Sequence, residues 1–414
     1  MRRFPTLLLA ILLSGMLTID SSCSRGEDVK RVASKTVKVK FVVAVPEETA
    51  EADAVYLSGN LDAMGSWNAQ GIPLKRQANG EYTASVELPR GAKLEYKANR
   101  GSWSTVEKSS LGREIANRVL VLDNDKTERI TVANWREPTT TQPQESTTVG
   151  DVRYHRDFHS RILANNRTLI VWLPPEYESD PGRRYPVLYM HDGQNLFDAS
   201  TSFAGEWRAD ETAMRLITEK RIEPIIIVGI ENNGPARVNE YTPTRSATTR
   251  TGTLVEEGGQ GEQYEHFLIE EVKPFIDRTY RTLPDREHTA VAGSSLGGLI
   301  SLHLAWKHND VFSKCGCISP SLWWDNFKML RAFESDHDWM KRTKLWVDMG
   351  TAEGAGTGLD KNLLAARFLE AIMMRVGLRE GIDYQYLEVE GAGHNEQAWS
   401  ERFDQVLLFL FGTH

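Results

Sequence analysis

Ser295 is the central residue of a Gly-x-Ser-x-Gly motif, GSSLG at residues 293–297. The apolar run before the motif predicts a strand, and the sequence LGGLISLHLAWK that begins at Leu296 predicts a helix. Between a strand and a helix, the glycines permit the sharp, strained turn that raises a serine hydroxyl above the sheet. Ser295 is therefore the candidate nucleophile, with an ordinary glycine-serine turn as the alternative interpretation.

A serine hydroxyl attacks an ester when a histidine takes its proton and a carboxylate fixes the tautomer of that histidine. These partners are expected after the serine, with the acid before the histidine. His394 lies in the glycine-rich loop EGAGHN after a predicted strand and is the candidate base, with a solvated loop histidine as the alternative. For the acid we favour Glu353, in the loop after the predicted strand Leu345–Met349. Asp348 is the competitor, but its place inside that strand is more typical of a buried polar group.

Ester cleavage also requires backbone N–H donors directed at the oxyanion of the tetrahedral intermediate. The amide of Leu296, directly after the nucleophile, is one expected donor. The amide of Gln194 is the other, because Gly193 lets the chain turn at the end of a predicted strand. We interpret His191 and Asp192 as structural supports of this loop, since no third metal ligand stands at useful spacing. No cofactor and no metal are expected.

From residue 151 onward, apolar strand-like runs alternate with amphipathic helix-like segments. The predicted helices are Arg208–Lys220, Gly261–Thr279, Leu296–Lys307, Asp360–Val376 and Gln397–Phe411. This order predicts an α/β domain over residues 151–414, with a mostly parallel sheet covered on both faces. The candidate residues then lie at the carboxyl ends of the strands, where such sheets bind their ligands.

Residues 151–414 resemble the esterase family that includes feruloyl esterases, enterochelin-type siderophore esterases and the mycolyltransferases of the antigen 85 group. The segments that carry the resemblance are YPVLYMHDGQNLF, IIIVGIENN followed by Arg237, Glu240 and Tyr241, VAGSSLGGLISL, ISPSLWWDN, DMGTAEG and GAGHNEQAW. The resemblance implies an α/β-hydrolase fold. The site residues that it implies are a triad of Ser295, Glu353 and His394, an oxyanion hole of Gln194 and Leu296, and a substrate pocket with Arg237, Trp323 and Trp324. A core aromatic pair is an equal alternative for the two tryptophans.

Residues 37–136 contain short runs of alternating apolar and polar residues with turn signals between them. Several short strands at this spacing predict a small all-β sandwich of immunoglobulin-like type. Trp67 and Trp103 stand in predicted loops beside glycine and serine, where flat aromatic faces can stack on sugar rings. Packing of the turns is the alternative role for these two side chains.

The same segment resembles a family-20 starch-binding module through VYLSGN, MGSWN, VELPRG and LEYKANRGSW. This resemblance implies an α-glucan as partner, with Trp67 and Trp103 as stacking platforms. It also implies Lys97 and Asn117 as hydrogen-bonding partners of the sugar. A loop between Trp103 and Asn117 that is longer than in fungal members leaves Glu107 outside the assignment.

The N-terminus predicts export. Arg2 and Arg3 precede the apolar stretch Leu7–Leu17, which is too short to span a bilayer, so we expect a signal peptide over residues 1–22. Cys23 is then a candidate for lipid attachment, with plain cleavage as the alternative. We expect a periplasmic or extracellular protein without a transmembrane span. The net charge of -8 argues against nucleic acid as a partner.

Residues 137–150, EPTTTQPQESTTVG, predict an extended linker between the two domains, because they contain almost nothing to bury. Such a linker is expected to leave the domains free to reach different parts of one large substrate. Together these features predict an exported serine esterase that cleaves an acyl ester on a carbohydrate or a carbohydrate-linked substrate. The alternatives are acyl transfer to a sugar hydroxyl and a non-catalytic glucan-binding surface protein.

Overall fold

The computed structural model describes residues 36–65, 67–110, 112, 115, 117–136, 146–202, 205–250, 253–353 and 361–413. The predicted signal peptide, Cys23 and residues 137–145 of the predicted linker lie outside these ranges. Among the described residues, no helix combines the length and the apolar character that crossing a membrane requires.

The N-terminal domain is a sandwich of two four-stranded sheets, with strand orders β4-β5-β1-β9 and β3-β2-β6-β8. Alternate residues of the first strand (Val37, Val39 and Phe41) are buried between the sheets, which is the pattern that a half-exposed strand requires. The strands are β1 Thr36–Ala44, β2 Tyr56–Gly59, β3 Ile72–Pro73, β4 Lys75–Arg76, β5 Tyr82–Pro89, β6 Lys93–Asn99, β7 Glu107–Lys108, β8 Arg118–Val121, β9 Lys126–Thr131 and β10 Asn134–Trp135. The predicted all-β sandwich is confirmed.

The C-terminal domain is built on an eight-stranded sheet of order β11-β12-β14-β13-β17-β18-β19-β20. β11, β12 and β14 pair antiparallel, and every pair from β14 to β20 is parallel. The strands of this sheet are β11 Asp151–Ser160, β12 Asn165–Leu173, β13 Val187–His191, β14 Ile226–Ile230, β17 Thr289–Ser294, β18 Lys314–Ile318, β19 Lys344–Gly350 and β20 Tyr384–Val389. A separate hairpin joins β15 Arg245–Arg250 to β16 Thr253–Gly258.

Helices cover both faces of this sheet. They are α1 Ala209–Thr218, α2 Arg237–Glu240, α3 Gly261–His266, α4 Lys273–Thr279, α5 Leu296–Lys307, α6 Trp324–Phe333, α7 Lys361–Val376, α8 Glu396–Ser400 and α9 Phe403–Phe411, with a π-helical segment Phe267–Val272 between α3 and α4. Successive residues of β13 enter different cores, Val187 and Tyr189 on one face and Leu188 and Met190 on the other. This two-sided burial explains the continuous apolar character of the strands, and the predicted α/β-hydrolase fold is confirmed.

Residues Thr36–His414 belong to one compact unit. Arg136, at the end of the sandwich, donates hydrogen bonds to the carbonyls of Ser202 (2.6 Å) and Ser200 (2.5 Å) in the hydrolase domain. The two domains are therefore in direct contact, through hydrogen bonds from a side chain of the sandwich to backbone carbonyls of the hydrolase domain. That the linker leaves the domains free to reach different parts of one substrate stays a prediction.

Candidate active site

The turn that carries Ser295 joins β17 to α5. Ser295 has φ 59° and ψ -123°, a strained conformation for a residue with a side chain. A Cβ on Gly293 would lie 2.8 Å from the carbonyl carbon of Gly297, so the turn closes only with glycine at this position. The amide of Ser295 donates to the carbonyl of Ile318 on the neighbouring strand (3.0 Å). The turn is therefore fixed from two sides, and the hydroxyl is half-exposed above the sheet.

His394 reaches Ser295 from the loop that follows β20. Its Nε2 lies 2.9 Å from the hydroxyl oxygen of Ser295. The Asn395 side chain accepts from the amide of Ala398 (2.9 Å) and so starts α8 directly after the histidine. The ring of Trp399 stands perpendicular to the imidazole, with the ring centroids 5.0 Å apart. Both contacts restrict the orientation of the imidazole.

Glu353 is the acid that the structure brings to His394. Its Oε2 lies 2.8 Å from Nδ1 of the imidazole, and its side chain is fully buried. Its Oε1 accepts from the amide of Gly350 (2.8 Å) and from the hydroxyl of Ser319. Both oxygens of the carboxylate are thereby satisfied, which is the condition for holding a buried carboxylate in one orientation.

Asp348, the alternative acid, has other partners. Its Oδ1 accepts from Arg402 (2.7 Å) and its Oδ2 accepts from the indole N–H of Trp346 (2.7 Å). Burial raises the pKa of Asp348, although the guanidinium of Arg402 opposes that shift. Asp348 therefore belongs to a buried ion pair beneath the site.

Sequence reasoning missed the residues that hold Glu353. Ser319 donates to Glu353 and accepts from both Trp399 (3.0 Å) and Arg402 (2.8 Å). Arg402 thus links the carboxylates of the two candidate acids. The one available signal was an arginine at the start of an apolar helix, where burial requires an anionic partner.

The two expected oxyanion amides lie in the first turns of helical segments. Leu296 is the first residue of α5, and Gln194 lies in a 3₁₀ turn, Gly193–Asn195, directly after β13. The first N–H groups of a helix have no acceptor within that helix and are available to an anion. A Cβ on Gly193 would lie 2.5 Å from the backbone of Gly229, so only glycine brings this turn so close to the sheet.

Asp192 and Arg237 hold the turn that contains Gln194. Asp192 has a left-handed φ of 58°, and its two carboxylate oxygens accept from Nε and Nη2 of Arg237, each at 2.7 Å. Burial pushes the pKa of Asp192 up, but Arg237 outweighs it and holds that pKa below its usual range. Arg237, which the resemblance placed in the substrate pocket, thus uses its guanidinium to hold the loop that contains Gln194. Burial lowers the pKa of His191 to about 3 and keeps it neutral.

The two pocket tryptophans separate in the structure. Trp324 is 5% exposed, belongs to the core and donates its indole N–H to the carbonyl of Thr244 (2.8 Å). Trp323 is 38% exposed. It follows Ser321 closely in the chain, and the Ser321 hydroxyl lies 3.3 Å from that of Ser295. Trp323 is therefore the side chain of the pair that a substrate can reach.

Glu396 is a second buried acid near His394. It lies two residues after His394 and accepts from the side chain of Asn195 (3.2 Å). Burial raises the pKa of Glu396 to about 7, and the ammonium of Lys97 in the sandwich domain opposes the shift. Sequence reasoning did not single out this residue.

The residues expected to bind glucan lie together at one end of the sandwich. The rings of Trp67 and Trp103 are half-buried, with centroids 6.2 Å apart and planes tilted by 47°. Asn117 donates to Glu95 (3.4 Å). Lys97 is only 1% exposed.

One group of acidic side chains among the described residues could hold a cation. Glu206, Asp210 and Glu211 each present a carboxylate oxygen within 4.8 Å of the others. Asp210 and Glu211 lie in the first turn of α1 and Glu206 lies just before it, and the amide of Val149 donates to Asp210 (2.6 Å). None of them belongs to the set around Ser295.

Comparison with known proteins identifies the families of the two domains. Residues 160–410 match the family described as "Putative esterase", and residues 36–132 match the starch binding domain. The ferri-bacillibactin esterase BesA of Bacillus subtilis is 26% identical over 55% of this chain and 80% of its own length. An α-amylase of Niallia circulans is 39% identical over 24% of this chain, which corresponds to only 8% of the amylase.

Among solved structures, the enterobactin esterase FES of Shigella flexneri has the same fold, with a TM-score of 0.51 at 14% identity. The similarity covers 92% of this chain and 94% of that one. The chain therefore belongs to the esterase family, carries a starch-binding domain at its N-terminus, and has carboxylic ester hydrolysis as the activity class of its family.

Proposed function

We propose that this chain is an exported serine esterase that cleaves an acyl group from a carbohydrate, with Ser295, His394 and Glu353 as its catalytic triad. The observation that carries the proposal is the 2.9 Å contact between the Ser295 hydroxyl and His394 Nε2 on a strained turn. A serine in this position has a base within proton-transfer distance.

In the first step, His394 Nε2 takes the hydroxyl proton while Ser295 Oγ bonds to the ester carbonyl carbon. The carbonyl oxygen becomes an oxyanion, which the amides of Gln194 and Leu296 stabilise. When the carbon–oxygen bond to the alcohol breaks, His394 returns the proton to the departing alkoxide. Glu353 stabilises the imidazolium through Nδ1 during this exchange.

In the second step, His394 removes a proton from water, and the hydroxide adds to the carbonyl carbon of the acyl-enzyme. Collapse of this second tetrahedral intermediate breaks the bond to Ser295 Oγ, which takes its proton back from His394. The products are a carboxylic acid and a free sugar hydroxyl. The starch-binding domain supports an α-glucan as the alcohol component, with Trp67 and Trp103 as its stacking surface.

The test is labelling with a fluorophosphonate probe, followed by hydrolysis of p-nitrophenyl acetate, methyl ferulate and acetylated maltooligosaccharides. We expect wild type to label and to hydrolyse at least one ester, and Ser295→Ala to do neither. Ser294→Ala is the matched control, because this neighbouring serine is buried in β17 and should label like wild type. Full ester hydrolysis by Ser295→Ala would contradict the proposal.

A further inference from the structure

The strand of the sandwich that carries Lys97 lies against the catalytic loop. Lys97, in the middle of β6, is buried, and its ammonium lowers the pKa of Glu396, which burial raises. Glu396 is two residues from His394, and two residues span at most about 7 Å. Lys97, which the resemblance implies in glucan binding, therefore interacts with a residue beside the candidate base.

A second contact of the same strand lies on the same loop. A Cβ on Gly393 would be 3.6 Å from Oε1 of Glu95, so the carboxylate of Glu95 lies directly against the residue before His394. The other oxygen of Glu95 accepts from Asn117. Two of the four residues implied in glucan binding, Lys97 and Asn117, are thus connected to the loop that holds the base.

The tryptophans lie next to this contact. The amide of Trp67 donates to the carbonyl of Gly59 (2.8 Å), and Ser58, the residue before Gly59, pairs with Lys97 across the two strands. Trp103 begins the turn that follows β6, and its ring packs near that of Trp67. The half-exposed aromatic faces and the buried lysine therefore occupy one end of the sheet that meets the hydrolase domain.

The hairpin of the hydrolase domain makes a further connection. β15 contacts the 3₁₀ turn Asp62–Met64, which immediately precedes the loop of Trp67. The base of the same hairpin accepts the indole N–H of Trp324 at Thr244. The hairpin thus contacts both Trp324 of the hydrolase domain and the turn that precedes Trp67 in the sandwich.

We propose that the glucan-binding surface of the sandwich and the Ser295 site form one composite cleft. Its substrate is a short, soluble, acylated α-gluco-oligosaccharide whose sugar rings stack on Trp67 and Trp103 while its ester reaches Ser295. This inference rests on the proposed esterase function. In such a cleft the glucan-binding surface recognises the sugar part of the ester. This role differs from that of an anchor, which only holds the enzyme on a starch granule.

The test compares two substrates in the full chain with Trp67→Ala and Trp103→Ala combined. We expect kcat/KM for acetylated maltotriose to fall at least tenfold further than kcat/KM for p-nitrophenyl acetate, which has no sugar. If the tryptophans serve only as a granule anchor, the variant will lose retention on insoluble amylose and hydrolyse acetylated maltotriose at the wild-type rate. That result would overturn the proposal.

A second measurement on wild type needs no variant. Maltoheptaose bound in a shared cleft should slow fluorophosphonate labelling of Ser295 and inhibit hydrolysis of p-nitrophenyl acetate competitively. Labelling and hydrolysis that proceed unchanged at saturating maltoheptaose would contradict the composite cleft while leaving the esterase function intact. Absence of labelling without any sugar would instead contradict the esterase function itself, so the two failures are distinguishable.

Discussion

Oε2 of Glu353 lies 2.8 Å from Nδ1 of His394, on the side of the imidazole opposite to Ser295. This contact places the proton of the neutral imidazole on Nδ1 and leaves Nε2 free to accept. The carboxylate itself is held by backbone and side-chain donors from two neighbouring strand ends. The orientation of the candidate base therefore depends on buried groups beneath the site.

Glu353→Gln should lower kcat by about 10³ to 10⁴-fold, because an amide N–H directed at Nδ1 favours the unproductive tautomer. KM should change little, since Glu353 is buried away from the substrate. Asp348→Asn is the control: it breaks the pair with Arg402 and should cost stability of about 3–5 kcal/mol, seen in urea unfolding. Equal losses of kcat in the two variants would contradict the assignment of Glu353.

Gly193→Ala should lower kcat by about 10²-fold or more, as expected for the displacement of one oxyanion donor. The added methyl group meets the backbone of Gly229 at 2.5 Å and must push away the turn that carries the Gln194 amide. Gly182→Ala is the matched control, because its nearest neighbour is a side-chain atom at 3.8 Å. The measurement is kcat of both variants and of wild type with one ester. A wild-type kcat in Gly193→Ala would exclude the Gln194 amide as an oxyanion donor.

Much of the fold followed from periodicity in the sequence. A segment whose burial is simple was placed well: the helix Leu296–Lys307 has the predicted bounds. Parallel strands buried on both faces give long apolar runs, and such runs are easily recognised. The edge strand Asp151–Ser160 was missed because its residues are mostly exposed or half-exposed and carry no such run.

The supporting residues of the site could not be predicted for a different reason. The partners of Ser319 and Arg402 come from distant parts of the chain, and only the packing of α9 against the sheet brings them together. The same applies to Arg237, which the family resemblance placed in the substrate pocket and which makes a bidentate contact with Asp192 in the structure. A charged side chain in a sequence does not reveal which opposite charge neutralises it.

Arg237→Lys should lower kcat more than it raises KM, because an ammonium cannot reproduce the two-pronged contact with Asp192. We expect a decrease of about tenfold, in line with a loosened oxyanion loop. A double-mutant cycle with Asp192→Asn measures the coupling, and the second change should add little once the first is made. A selective rise in KM for anionic esters would instead place Arg237 in the substrate pocket.

Trp323→Ala and Trp324→Ala should have opposite phenotypes. Removing the exposed Trp323 should raise KM for aryl esters and change the free energy of unfolding by less than about 0.5 kcal/mol. Removing the core residue Trp324 leaves a cavity and should cost about 3–5 kcal/mol. Parallel measurements of KM and of chemical denaturation distinguish the two roles. Equal destabilisation in both variants would make the pair a structural unit.

Asp210→Asn should change how stability depends on pH. Burial, together with the neighbouring carboxyl of Glu211, raises the pKa of Asp210 to about 8. The folded protein therefore keeps a proton that the unfolded chain releases near pH 4, so the contribution of Asp210 to stability is most favourable below that pH and falls until pH 8. The asparagine side chain cannot ionise but can still accept from the Val149 amide. The variant protein should therefore be more stable than wild type at pH 8 by about 1–3 kcal/mol. Thermal melts between pH 5 and 8 measure how the melting temperature changes with pH, and a wild-type slope in the variant would show that another group titrates.

Addition of Ca²⁺ provides a further check on the same three carboxylates. A cation held by them would raise the wild-type melting temperature at pH 8 and would affect the Asp210→Asn variant less.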